Sequence, residues 1–179
     1  MAVTPSETDV VEREVRIEAS PETVFPFFTD PEKMVRWMGT EVTLDPRAGG
    51  IYRVNVTGRD TARGEYVEVV PHKRVVFTWG WEGEVFPVPP GSSVVDISLT
   101  QDGDGTVVKL RHSGLPEAMR RFHRFGWEHF LGRMAVAASG GDPGTDPLTS
   151  PVRAPFISAR YLPWRDAPRI LLRWLQQGS

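Results

Sequence analysis

Apolar and polar positions alternate through most of the first 113 residues and then switch to a helical period. Over 10–19, Val11, Arg13, Val15 and Ile17 share one face against charged neighbours, which predicts a half-buried strand. Ser20-Pro21-Glu22 reads as a helix start, with Ser20 as cap and Pro21 in the first turn. Val24, Phe25, Phe27 and Phe28 give it an apolar stripe, and Pro26 predicts a distortion. Asp30-Pro31-Glu32 repeats the signal and predicts a second short helix through Trp37. Beyond Gly49-Gly50, Tyr52, Val54 and Val56 face one way. Further strands are expected over 63–70, 74–81, 92–101 and 107–113. They align Val75, Phe77, Trp79 and Trp81, then Val95, Ile97 and Leu99, then Val108, Leu110 and His112. Asp102-Gly103-Asp104-Gly105 marks a hairpin. Connections this short imply a sequential antiparallel meander.

After Pro116 the repeat lengthens to three or four residues. Met119, Phe122, Gly126, Phe130, Met134 and Ala137 predict one long helix ending at Ala138. At 1.5 Å per residue it would run about 33 Å, enough to cross a sheet. Arg120, Arg121, Arg124, Glu128 and Arg133 occupy its other face. Residues 139–155 are rich in Gly, Pro and Ser and read as a linker or surface segment. A last amphipathic stretch carries Ile170, Leu171, Trp174 and Leu175. It is expected to pack on protein, either its own sheet, a second copy or a partner. The whole predicts an α+β, helix-grip fold: a curved antiparallel sheet of six to seven strands wrapped around one long C-terminal helix, with two short helices after the first strand. In such an arrangement the gap between sheet and helix is a natural cavity.

Composition changes this picture little. A 179-residue chain with 40% apolar and 25% charged residues suits one domain with a tail to spare. A net charge of −2 gives no reason to expect nucleic acid, which calls for a basic face. The absence of cysteine excludes disulfides and cysteine–zinc sites. With no apolar signal core and no apolar run near ~18 residues, a cytoplasmic protein that makes no membrane contact is expected.

Four segments resemble a known family. They are WMGTEVTLDPRAGGIYRV (37–54), GEYVEVVPHKRVVFTW (64–79), LTQDGDGTVVKLRHSGLP (99–116) and GWEHFLGRM (126–134). Their order is similar to that in the SRPBCC (START-like, helix-grip) superfamily, in the branch related to the C-terminal domain of the activator of the heat-shock-protein-90 ATPase. The resemblance spans about residues 10–138. It implies a helix-grip domain over 1–138 and an extension over 139–179. The superfamily includes lipid carriers, aromatic polyketide cyclases, hormone receptors, allergens and co-chaperone domains, so it implies a fold more than a function.

The candidate chemistry is a set of inward-facing rings. Tyr52, Val54, Phe77 and Trp79 are expected to line a ligand cavity, although Trp79 serves a closed core almost as well. Trp81 and Phe86 are expected at its rim, beside the proline loop, and Trp37 at the opposite mouth or in plain packing. Trp127 reads as core and as a candidate ligand contact, with Gly126 letting the helix approach the sheet. Phe122 and His123 lie at the border of the helix's apolar face. His112 is either a ligand contact, an acid–base group or a satisfied structural histidine. No cofactor, metal or catalytic residue is assigned. His123 and His129 are six apart, the wrong spacing for one helix face. The carboxylate pairs Glu12/Glu14, Glu82/Glu84 and Asp102/Asp104 lack an apolar setting for acid catalysis. The expected function is therefore binding of a small hydrophobic or aromatic molecule. A polyketide cyclase or aromatase and a chaperone-associated domain are the alternatives, and a homodimer is a candidate assembly.

Overall fold

A computed structural model describes residues 10–149, and the apolar stretch around Trp174 lies outside them. The chain forms strand β1 (Val11–Ile17), short helices α1 (Pro21–Val24) and α2 (Pro31–Met34), strands β2 (Glu41–Leu44), β3 (Ile51–Asn55), β4 (Thr61–Val70), β5 (Arg74–Trp79), β6 (Ser93–Asp102) and β7 (Gly105–Ser113), and helix α3 (Glu117–Ala138). The seven strands make one antiparallel sheet in the order β1-β7-β6-β5-β4-β3-β2. This is the helix-grip α+β fold. The meander runs from β2 to β7, and β1 closes the far edge beside β7 and packs on α3.

The local signals act as their chemistry requires. Ser20 caps α1 by accepting from the Thr23 amide, and Asp30 caps α2 by accepting from the Glu32 amide at 2.9 Å. Pro26 splits the first helix: Phe25–Phe28 tightens into a 3₁₀ turn whose carbonyls cap the break. The second helix is shorter than expected, stopping at Met34, and Trp37 follows in a turn. β2 is an edge strand whose apolar residues are only partly buried, and its alternation spans just four residues, so the sequence signal is short.

The core lies on one side of the sheet. Tyr52, Val54, Tyr66, Val75, Phe77, Val95, Ile97, Val108 and Leu110 turn inward, as the period of two requires. A bulge in β4 between Tyr66 and Glu68 places Val67 outside the pairing, where it is exposed. Such a bulge bends the strand, which helps the sheet curve around α3. Two glycines mark close backbone crossings. A Cβ on Gly64 would overlap the Thr78 carbonyl, and one on Gly80 the Pro89 carbonyl. Gly126 differs: open space surrounds its missing Cβ, so it does not serve close approach of α3 to the sheet.

The helical face is rotated from the expected one. His123, Trp127 and Leu131 are buried, whereas Phe122 and Gly126 are only partly so. Arg133 is not a solvent-facing charge either. Its guanidinium donates to the carbonyls of Trp37, Pro143 and Gly144 at 2.8–3.2 Å and fastens the segment after α3 to the body.

Tyr66 joins the sheet to the short helices by donating to the Phe28 carbonyl at 2.8 Å, in a buried setting. Tyr66→Phe leaves that carbonyl without a partner. It is expected to cost about 1–3 kcal/mol, read as a lowered midpoint in urea unfolding with unchanged slope.

Candidate functional site

The rings named from the sequence assemble into one cluster spanning sheet and helix. Tyr52 stacks on Phe77 with centroids 4.0 Å apart. Trp79 meets Tyr52 at 6.0 Å, Trp81 at 5.5 Å and Trp127 at 5.2 Å. His112 and His123 meet edge to face at 5.1 Å. Val54 lies on the same inward face. Trp37 stands apart: it packs edge-on against Phe28, and its indole donates to the Phe27 carbonyl at 3.0 Å. Trp37 thus sits in the short-helix region, apart from the ring cluster.

Trp81 is not at a rim. It is 4% exposed, because the chain continues to pair beyond β5. Trp81 bridges to Ala62, its amide donates to the Val88 carbonyl at 2.7 Å, and the Glu82 amide reaches the Thr61 carbonyl at 2.8 Å. The proline-containing loop then folds back over the indole. Phe86, partly buried, lies 4.8 Å from Trp81 and stacks at 5.2 Å on Phe122 of α3. The loop therefore covers one end of the aromatic cluster. Arg53 holds its base through two bonds to Glu82, at 2.8 and 3.0 Å, and keeps that carboxyl below the usual range. Glu82 is thus an ion-pair partner and not an acid catalyst. Asp102 and Glu12 are likewise paired with arginines on the sheet.

Hydrogen bonding fixes both histidines. Trp127 Nε1 donates to His112 Nδ1 at 3.0 Å. An indole nitrogen can only donate, so Nδ1 is bare and the proton sits on Nε2. Nε2 then donates to Ser93 Oγ at 2.8 Å, and Ser93 passes its own proton toward the Trp79 carbonyl at 2.9 Å. His123 takes the opposite tautomer. Its Nδ1 faces the Met119 carbonyl at 2.9 Å, which can only accept, and its Nε2 accepts from Trp81 Nε1 at 3.1 Å. Burial, with His123 beside it, pushes His112 well below its ordinary range. Burial pushes His123 down to about 4, against some opposition from the Met119 carbonyl. Both rings are neutral and fully engaged. Each of their four ring nitrogens is engaged by a protein group.

Two polar atoms of the cluster have no partner: Trp79 Nε1 and Tyr52 Oη, each fully buried. Leaving such a group unpaired costs on the order of 1–3 kcal/mol. Burial drives the Tyr52 phenol well above its ordinary range, so it stays protonated. Sequence spacing gave no warning of these orphans, nor of Ser93, which completes the His112 chain. His129 and Asp146 were also missed as a pair: they meet at 2.9 Å near Arg133. Burial raises Asp146, but His129, the Leu148 amide and Arg133 outweigh it and hold the carboxyl low. Asp146 and Arg133 border a surface cleft of about 310 Å³ that also reaches Trp37 and Gly39. Among the described residues, no cluster of histidine and carboxylate has the form of a metal site, and no helix is long and apolar enough to cross a membrane.

The comparisons with known proteins agree with this architecture. Residues 18–139 match the model of the family described as activator of Hsp90 ATPase homolog 1-like protein. The chain belongs to that family. An AHSA1-like protein from Rhizobium etli, solved by NMR, is 51% identical with a TM-score of 0.62, over 77% of this chain and 86% of that one. DynU16, from the dynemicin biosynthetic locus, is 27% identical with a TM-score of 0.66 over 77% of this chain, which spans 50% of DynU16. The Aha1 dimer of Colwellia psychrerythraea shares the fold at 17% identity, with a TM-score of 0.64 over 74% of this chain and 98% of that one. No curated protein matches. The histidine network and the unpartnered pair are thus features of an AHSA1-like domain.

The two histidines predict a specific acid sensitivity. The unfolded chain protonates them near 6.5, whereas the folded chain keeps them neutral to well below that, about 4 for His123. Between those limits the unfolded state binds more protons, so stability is complete above about 6.5 and falls as the pH drops toward 4. His123 alone accounts for roughly 3 kcal/mol of that loss. Urea midpoints from pH 7.5 to 4.5 are expected to fall steeply in the natural protein and less steeply in His123→Gln, which preserves an acceptor for Trp81.

Proposed function

We propose that this AHSA1-like chain binds a small hydrophobic or aromatic molecule between the sheet and α3. One observation carries the reading: an interior built of rings retains two fully buried polar atoms, Trp79 Nε1 and Tyr52 Oη, for which the protein supplies no partner. Native interiors pair the large majority of such atoms. Rings that touch across the gap must part, or leave room between them, for a guest to enter. The 82–92 loop, with Phe86 only partly buried over Trp81, is the proposed entrance. Tyr52, Phe77, Trp79, Trp81, His112 and Trp127 are the proposed wall, with Val54, Phe86, Phe122 and His123 around it. The histidines position indoles and do not contact the ligand through free nitrogens.

A cyclase-like reaction ranks second. The origin of DynU16 in a biosynthetic locus suggests it, but His112 and His123 have both nitrogens occupied and are neutral. A chaperone-linked role rests on the family's name alone.

Titration with naphthalene, followed by the indole N–H signals in 15N-resolved NMR, tests the binding. Saturable shifts at Trp79 and Trp81 with a raised melting temperature are expected. Unmoved indole signals across naphthalene and oxygen-bearing aromatics such as 1-tetralone would remove the proposal.

A further inference from the structure

We infer that the bound molecule is a neutral, oxygen-bearing aromatic, recognised through its oxygen by Trp79 and Tyr52. This rests on the ligand-binding reading above and adds what the ligand has to carry. Elsewhere among the described residues, Arg13 Nε and Asp146 Oδ2 are buried without a hydrogen bond, but both belong to charged groups paired through their other atoms, and the remaining polar groups of the ring-lined interior are bonded. Trp37 and Tyr66 donate to carbonyls, Trp81 and Trp127 to histidines, and Ser93 to the Trp79 carbonyl. Against that background, one indole and one phenol are left over, and they are neighbours. Tyr52 on β3 and Trp79 on β5 both border Phe77, with their own centroids 6.0 Å apart.

The chemistry of the two groups selects the guest. An indole N–H can only donate. A phenol kept protonated by burial is a donor as well. Two donors call for an acceptor, and a carbonyl, ether or hydroxyl oxygen provides one. An anionic oxygen would need a compensating cation inside the cluster. The titratable groups that face it are His112 from β7, His123 from α3, Tyr52 from β3 and Tyr66 from β4, and all four are held neutral. A carboxylate would therefore be buried uncompensated, and a carboxylic acid would enter only by taking up a proton. The surrounding rings favour a flat carbon frame that can lie among them. A saturated chain would forgo those ring contacts, and a hydrocarbon would leave both donors unanswered.

The test uses a pair of probes of one shape, 1-tetralone and tetralin, with 2-naphthoate as the charged control. Binding to the full chain is measured by calorimetry at pH 7.5 for the natural protein, Trp79→Phe and Tyr52→Phe. Each variant retains a ring, and its melting temperature confirms that it folds. The natural protein is expected to bind 1-tetralone about tenfold more tightly than tetralin, and 2-naphthoate more weakly than either. Trp79→Phe alters the wall that both probes meet, so it should weaken both, but tetralone by clearly more than tetralin, erasing most of the tetralone advantage; Tyr52→Phe should erase part of that advantage. Equal affinity for tetralone and tetralin, or variants that weaken both alike, overturns this inference and leaves an apolar site standing. Preferred binding of 2-naphthoate also overturns it. If no probe binds and the indole signals stay unmoved, the ligand-binding reading falls with it. Crystals soaked with 1-tetralone in which fixed waters, and not the probe, satisfy Trp79 Nε1 and Tyr52 Oη would overturn it directly.

Discussion

Two indole–imidazole hydrogen bonds set the angle at which the long helix meets the sheet. Apolar contact is non-directional and would tolerate several rotations of α3. Trp127 and His123 lie one helical turn apart, and each ends in a bond with a single permitted donor and acceptor. Trp127 reaches across to His112 on β7, and His123 receives Trp81 from the chain just beyond β5. A small rotation of α3 would break both at once, in a medium where unpaired groups are expensive. The bonds also dictate protonation. Adding a proton to His112 Nδ1 or His123 Nε2 would set one N–H against another.

The architecture was largely legible in the sequence because it follows from periodicity. Alternation placed β1 and β3 to β7, the helical repeat placed α3 within one residue of its start, and Pro26 flagged the break that became a 3₁₀ turn. What failed depended on contacts made far along the chain. Phe122 and Gly126 fitted the expected helical stripe as well as His123 and Trp127 did. The difference lies in partners on β7 and after β5 that spacing does not reveal. Trp81 looked like a rim residue because a proline loop follows it, yet that loop turns back and buries it. β2 alternates, but over only four residues, too short a run to stand out from the chain around it. The residues proposed as the site were visible as inward positions, but whether each one's hydrogen bonds were met was not. That sorted Trp37 from Trp79.

Within the AHSA1-like domain, polar and apolar roles are distributed over the same rings. Trp79 alone touches Tyr52, Phe77, Trp81, His112 and Trp127. Its carbonyl terminates the His112–Ser93 chain while its own indole N–H remains unused. One residue thus joins the part of the interior that is complete to the part that is not. Chemistry at the unpartnered side is coupled through a rigid ring to the bonds that seat α3.

Gly64 and Gly80 determine where variation can enter this domain. The first lies against the Thr78 backbone and the second against Pro89, at the crossing where the loop returns over Trp81. Neither position has space for even one methyl group. The rings around the cluster are side chains and carry no such backbone restriction. Gly80 thus holds the loop where it crosses Trp81, and Gly64 holds β4 against β5, so side chains in the cluster can change volume with less backbone disturbance than either glycine could.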